Sequence, residues 1–193
     1  PAPMPEDSAQ VAGASAAGRV VGLPWPNAEQ GADAVAGADL VITSRYHPAV
    51  FAAMRGVPVF ALVPDLYADV RIDGALTHHG LGGWAVPMGA LGTGQAAEAL
   101  AALWADRERV AAHLGASSGG LLDAHAHRWD AIVDALAGRS FEAPEWQPAP
   151  ALEPPDAVAS ARRDHEAALA AEAARRMARL EEERGVSPDP DGS

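Results

Sequence analysis

Asp39-Leu-Val-Ile-Thr-Ser-Arg45-Tyr-His47-Pro48-Ala-Val-Phe-Ala-Ala-Met-Arg-Gly56-Val-Pro58-Val-Phe-Ala-Leu62 decides the fold of this chain. Its first part, Leu40 to Thr43, is a short apolar run rich in β-branched residues, and Val57 to Leu62 is another. Both read as strands buried on two faces. A helix is expected between them. Pro48 suits its first turn because proline has no N–H to lose, and Gly56 can take the left-handed conformation that ends it. Val50, Phe51 and Met54 fall on one side of that helix and are its expected core face. Strand, crossover helix and strand form a βαβ unit, whose ligands bind beyond the carboxyl ends of the strands. Arg45 and His47 stand at that end, beside helical N–H groups that favour negative charge.

Composition narrows the chemistry. All fourteen basic residues are arginine, so lysine Schiff bases, lysine general bases and a phosphate-loop lysine are excluded. There is no cysteine, hence no disulfide, thiolate nucleophile or zinc–thiolate site. A formal charge of −12 argues against a nucleic-acid partner or an anionic membrane surface. At 193 residues the chain can hold one domain of ordinary size. No apolar run reaches the roughly 20 residues that span a bilayer, so no transmembrane segment is expected. The opening Pro-Ala-Pro-Met-Pro-Glu-Asp does not resemble a secretory leader, and a cytoplasmic location is expected. A chain that opens on Pro1 and soon enters a Rossmann-like pattern is expected to be part of a longer protein with a missing N-terminal domain.

Outward from the βαβ unit, residues 1–18 read as a flexible lead-in, 19–23 as a strand and 28–36 as a short helix. Residues 64–92 read as loop with a short strand at 84–86. Two helices are expected next. One runs from a Thr93 cap to about Leu114, and a second opens at Ser117 or Ser118 and ends near Gly138. Their stripes, Leu100, Leu103, Val110 and Leu114, then Leu121, Leu122, Trp129, Ile132, Val133 and Leu136, are expected to pack on the sheet. The domain reading is therefore a Rossmann-like unit over 19–140, incomplete, then a Pro-rich linker over 141–156. A charged Ala-rich helix over 157–185, solvated or loosely docked, and a disordered tail over 186–193 complete it. Trp25, Trp84, Trp104 and Trp129 are expected in the core or at a domain interface.

The central segment is similar to the Arg-x-His segment of the polysaccharide pyruvyl transferases. The likeness rests on Ala38-Asp39-Leu-Val-Ile-Thr-Ser-Arg45-Tyr-His47, Ala52-Ala53 and Gly56-Val-Pro58-Val. Asp65-Leu-Tyr67-Ala-Asp-Val70-Arg71-Ile-Asp-Gly74-Ala-Leu76 resembles the block that follows in that family. The resemblance implies an α/β fold, a Rossmann-like parallel sheet resembling the C-terminal half of a GT-B fold. It also implies transfer of the enolpyruvyl part of phosphoenolpyruvate to a sugar, giving a pyruvate ketal on a cell-surface polysaccharide precursor and releasing phosphate. Arg45 and His47 match the motif residue by residue; the middle residue, often leucine, is Tyr46 here, and Arg71 stands where relatives often have lysine.

These residue types suit that chemistry. A carboxylate and a phosphate on one donor call for a bidentate cation, which Arg45 supplies. A proton must reach the donor methylene while a sugar hydroxyl attacks, and His47 can move protons near neutral pH. Tyr46, Asp65, Tyr67 and Arg71 are the further candidates for substrate binding. Asp65 could equally be a turn residue, and Arg71 could pair with Asp69 or Asp73 on the surface. No cofactor is implied. His78-His79 and His125-x-His127 are not read as a metal site, because adjacent loop histidines are common and residues two apart on a helix face apart. The expected partners are phosphoenolpyruvate and a glycan acceptor, with a homo-oligomer allowed. Two other functions fit the pattern. One is a nucleotide-sugar glycosyltransferase or epimerase of the same fold, although Thr43 and Phe51 stand where many retaining members carry acids. The other is a truncated, non-catalytic module that associates through its long charged helix.

Overall fold

A computed structural model describes residues 27–140 and 149–183. The lead-in, the strand at 19–23, Trp25, Trp146, most of the linker and the last residues of the chain lie outside the described residues. Helix α1, Ala28–Ala36, begins with a reciprocal cap: the Gln30 N–H donates to the Asn27 side chain at 2.9 Å, and the Asn27 N–H to that of Gln30 at 3.3 Å. Strand β1, Val41–Thr43, helix α2, Tyr46–Met54, and strand β2, Val59–Val63, are the βαβ unit read from the sequence. Gly56 has φ +76° and ends α2, as expected.

Helix α3, Leu66–His78, follows where the sequence reads as loop. Asp65 starts it by accepting the Ala68 N–H at 2.7 Å. Strand β3 is only Val86–Pro87, two residues further on than the expected start at Trp84. Among the described residues the sheet has the order β1-β2-β3, all parallel, with Val41 beside Val59 and Leu62 beside Val86. The protein is therefore α/β, built on a small three-stranded parallel sheet. Of the two strands expected to be buried on both faces, β2 nearly is, but β1 is not: Ile42 is 55% exposed.

Helix α4, Gln95–Leu136, is one helix of 42 residues rather than the two expected. Ser117 and Ser118 do not open a second. Their hydroxyls instead donate back to the Leu114 carbonyl at 3.0 and 2.8 Å, which satisfies them inside a continuing helix. The cap is Gly94, in the left-handed conformation, not Thr93, whose hydroxyl donates to the Ala90 carbonyl. Only the first half of α4 is core, through Ala99, Leu103, Val110 and Leu114; Leu122, Trp129, Val133 and Leu136 are exposed, so the second stripe does not pack on the sheet. Of the tryptophans described, Trp84 is buried and Trp104 and Trp129 are not.

Helix α5, Asp156–Glu183, is docked at its start rather than loosely attached. Val158 and Ala161 are buried in the common core, and α5 packs against α4 and β3. The segment leading into it is tied down as well: the Leu152 N–H donates to the Gly80 carbonyl at 2.8 Å, and the Trp84 indole N–H donates to the Leu152 carbonyl at 2.7 Å. Further along, Leu169, Met177 and Leu180 are exposed. No helix among the described residues is long and apolar enough to cross a membrane.

Candidate functional site

Thr43 ends β1 and shapes the turn into α2. Its hydroxyl oxygen accepts the Arg45 N–H at 2.9 Å, which holds Arg45 in extended backbone (φ −111°, ψ 140°) as the residue preceding the helix. No side chain caps α2, so the N–H groups of its first turn remain available to an outside acceptor. Arg45 and His47 are both exposed there. Among the described residues the Arg45 guanidinium has no hydrogen-bond or ion-pair partner. The residues that bury α2 are Ala49, Ala52 and Ala53, not Val50, Phe51 and Met54. Small residues let the helix lie close to its neighbours, and the larger side chains turn outward.

The His47 ring lies edge-on to Tyr46, with centroids 5.4 Å apart, and 6.2 Å from the ring of Phe51. Arg71 reaches the same place from α3. Its guanidinium carbon is 4.5 Å from the Tyr46 ring centroid and 5.3 Å from that of Tyr67, and Nη1 donates to the Tyr67 hydroxyl at 2.9 Å. Tyr67 and Arg71, four apart on a helix, share a face that meets α2. His47, Tyr46, Arg71 and Tyr67 thus form one connected aromatic and cationic cluster, with Arg45 one residue before it. Such cation–aromatic contacts at an exposed site contribute about 0.5–1 kcal/mol each, enough to orient Arg71 without burying its charge.

Asp65 is used differently. Its carboxylate caps α3, and it lines a second, smaller cavity of about 210 Å³ with Val63 and Pro87, the last residues of β2 and β3. Three residues of α5 that carried no local signal, Arg162, His165 and Glu166, close that cavity. Nor does Arg71 pair with Asp69 or Asp73. Both carboxylates face Arg162, whose Nη1 donates to Asp69 Oδ1 and to the Ala85 carbonyl, each at 3.0 Å, and lies 3.6 Å from Asp73 Oδ1.

His79 and His113 are structural in their contacts. His79 is buried; its Nδ1 lies 3.3 Å from the Ser117 hydroxyl, and its carbonyl is 2.7 Å from His113 Nε2. Burial first, then the neighbouring His78 and His113, pushes the His79 imidazole below its usual range. Among the described residues no group of three or more acidic or histidine side chains is placed to hold a metal ion.

Residues 6–65, about a third of the chain, match the family model described as polysaccharide pyruvyl transferase. The matched stretch contains Arg45, Tyr46 and His47 and ends at Asp65, so Tyr67 and Arg71 lie beyond it. No curated protein and no solved structure matches the chain.

Proposed function

We propose that the chain acts in a cytoplasmic transferase that moves the enolpyruvyl group of phosphoenolpyruvate to a sugar of a polysaccharide precursor and forms a pyruvate ketal. The observation that carries this is the uncapped start of α2, where an exposed, unpaired Arg45 and an exposed His47 stand at the carboxyl end of a parallel strand inside the family segment. The rest of the catalytic unit is proposed to follow the GT-B pattern, a second Rossmann-like domain facing this one and completing the acceptor side.

In the proposed reaction Arg45 grips the donor carboxylate or phosphate in a bidentate pair, assisted by the helix N–H groups. The donor methylene takes one proton and becomes a methyl group. Two sugar hydroxyl oxygens bond to the enol carbon, the bond from that carbon to the phosphate oxygen breaks, and phosphate leaves with the second hydroxyl proton. His47 serves as the acid that protonates the methylene or the base that receives a hydroxyl proton. Arg71, fixed by Tyr46 and Tyr67, supplies a second positive charge to the donor anion, and Tyr46 and Tyr67 offer flat faces for a sugar ring. Asp65 is proposed as a substrate contact only through the smaller cavity, because its cap to Ala68 leaves one oxygen free.

The nucleotide-sugar alternative is separated by calorimetry on the chain expressed with any upstream domain of its reading frame. Phosphoenolpyruvate is expected to bind and a panel of nucleotide sugars is not. Tight binding of a nucleotide sugar with none of phosphoenolpyruvate would overturn the proposal.

A further inference from the structure

A cavity of about 470 Å³, separate from the smaller one beside Asp65, lies between α2, the end of α3 and the middle of α4. Its volume falls within the range of small-molecule sites. Val50 and Met54 of α2 and Leu121 and Leu122 of α4 give it aliphatic walls. These are the outward-facing large residues of α2 and the part of the α4 stripe that finds no place in the core; Met54 and Leu122 are about half exposed. The polar part of the lining includes a guanidinium and imidazoles but no carboxylate. Arg128, His125, His78 and His79 contribute to it, and none of its described lining residues is acidic, on a chain with 26 acidic and 14 basic residues. Arg128 is exposed and has no ion-pair partner among the described residues, whereas Arg109, Arg139 and Arg176 are each paired with a carboxylate.

An aliphatic trough with an unpaired Arg128 guanidinium and the exposed His125 imidazole at one side selects a ligand with the opposite character at one end. We propose that this cleft binds an anionic amphiphile, its aliphatic chain against Val50, Met54, Leu121 and Leu122 and its anionic head at Arg128 and His125. Aliphatic walls that include a flexible methionine favour a chain over a flat ring. A single cationic side favours one head group over a zwitterion. Tyr46 lines the cleft as well as the Arg45–His47 segment, so an occupant would lie next to the proposed donor site. The proposal does not rest on the transfer reaction, and either can fail alone.

Titration calorimetry with octyl phosphate below its micelle concentration tests it, with octanol, octyltrimethylammonium and inorganic phosphate as the other arms. Octyl phosphate is expected to saturate a single site, and octanol and inorganic phosphate to bind at least about tenfold more weakly, because each lacks half of the recognition. The cationic amphiphile is expected not to bind. Arg128→Ala should weaken octyl phosphate about tenfold and leave octanol unchanged, while Arg163→Ala, an exposed arginine elsewhere, leaves both unchanged. Arg128 is at the surface, so its variant keeps the fold, which circular dichroism verifies. Equal binding of the cationic amphiphile, equal losses in the two arginine variants, inorganic phosphate as tight as the ester, or no saturable binding of octyl phosphate would each overturn the proposal.

Discussion

Replacing Arg162 by methionine isolates the contact that fastens α5 to α3 and to the residue before β3. The Arg162 side chain is 18% exposed, and its guanidinium serves three acceptors at once: Asp69, Asp73 and the Ala85 carbonyl. Methionine keeps much of the stem volume and removes the charge. Asp73 would retain the Gly83 N–H, which it accepts at 2.8 Å, but Asp69 loses its ion-pair partner among the described residues and the Ala85 carbonyl loses a donor. Removing one partner of a fully buried pair costs about 3–5 kcal/mol. Here the Asp69 and Asp73 side chains are 28% and 23% exposed and regain some water, so the expected cost is about 2–3 kcal/mol. At this chain length that corresponds to a fall in Tm of roughly 4–12 °C. The control is Arg176→Met, which breaks an ion pair of α5 with Glu172 that is 70% and 47% exposed and is worth at most about 0.5 kcal/mol. Calorimetric unfolding of both variants against the parent decides it. Equal small losses would mean that α5 is only loosely attached and that the Arg162 contacts contribute nothing.

Two further perturbations have signs set by the structure. Because His79 is held below its usual range, the unfolded chain binds a proton at about pH 6.5 while the folded chain does not, so stability falls as pH drops through that value and levels off below the folded pKa. His79→Asn should flatten that slope in urea titrations between pH 7 and 5, and parallel curves for variant and parent would refute it. Gly80 and Gly83 both have positive φ, but a methyl at Gly80 runs into the Pro150 carbonyl and His113, whereas one at Gly83 meets nothing. Gly83→Ala should therefore cost about 1–2 kcal/mol and Gly80→Ala clearly more; equal unfolding midpoints would contradict the packing of residues 149–152 over Gly80.

The βαβ unit was legible because its signals are local: two β-branched runs, a proline in a first helical turn and a glycine at φ +76°. Helix α3 was not, because its apolar residues do not make one stripe. Ile72 and Leu76 are buried, Leu66, Tyr67 and Val70 are exposed, and Asp69 and Asp73 face Arg162 instead of solvent. The cap at Asp65, right after Pro64, was the signal that could have found it. Ser117 to Gly120 looked like a break because serine and glycine favour loops; the back-bonds of Ser117 and Ser118, and the Ser118 contact at 3.2 Å with the Ala53 carbonyl, are tertiary facts. In the candidate site, Arg45 and His47 were readable from their place after a strand. That Tyr46, Tyr67 and Arg71 join them depended on the unseen helix, and Arg162 gave no local sign because its partners lie 77 and 93 residues away.

Phosphate release from phosphoenolpyruvate in the presence of an acceptor glycan, by the protein expressed from its complete reading frame, tests the role of Arg45 and His47 most directly. The account predicts release by the parent protein, loss of turnover in His47→Ala with donor binding retained, and loss of donor binding in Arg45→Ala. Near-normal turnover in either variant, with both folded, would contradict it.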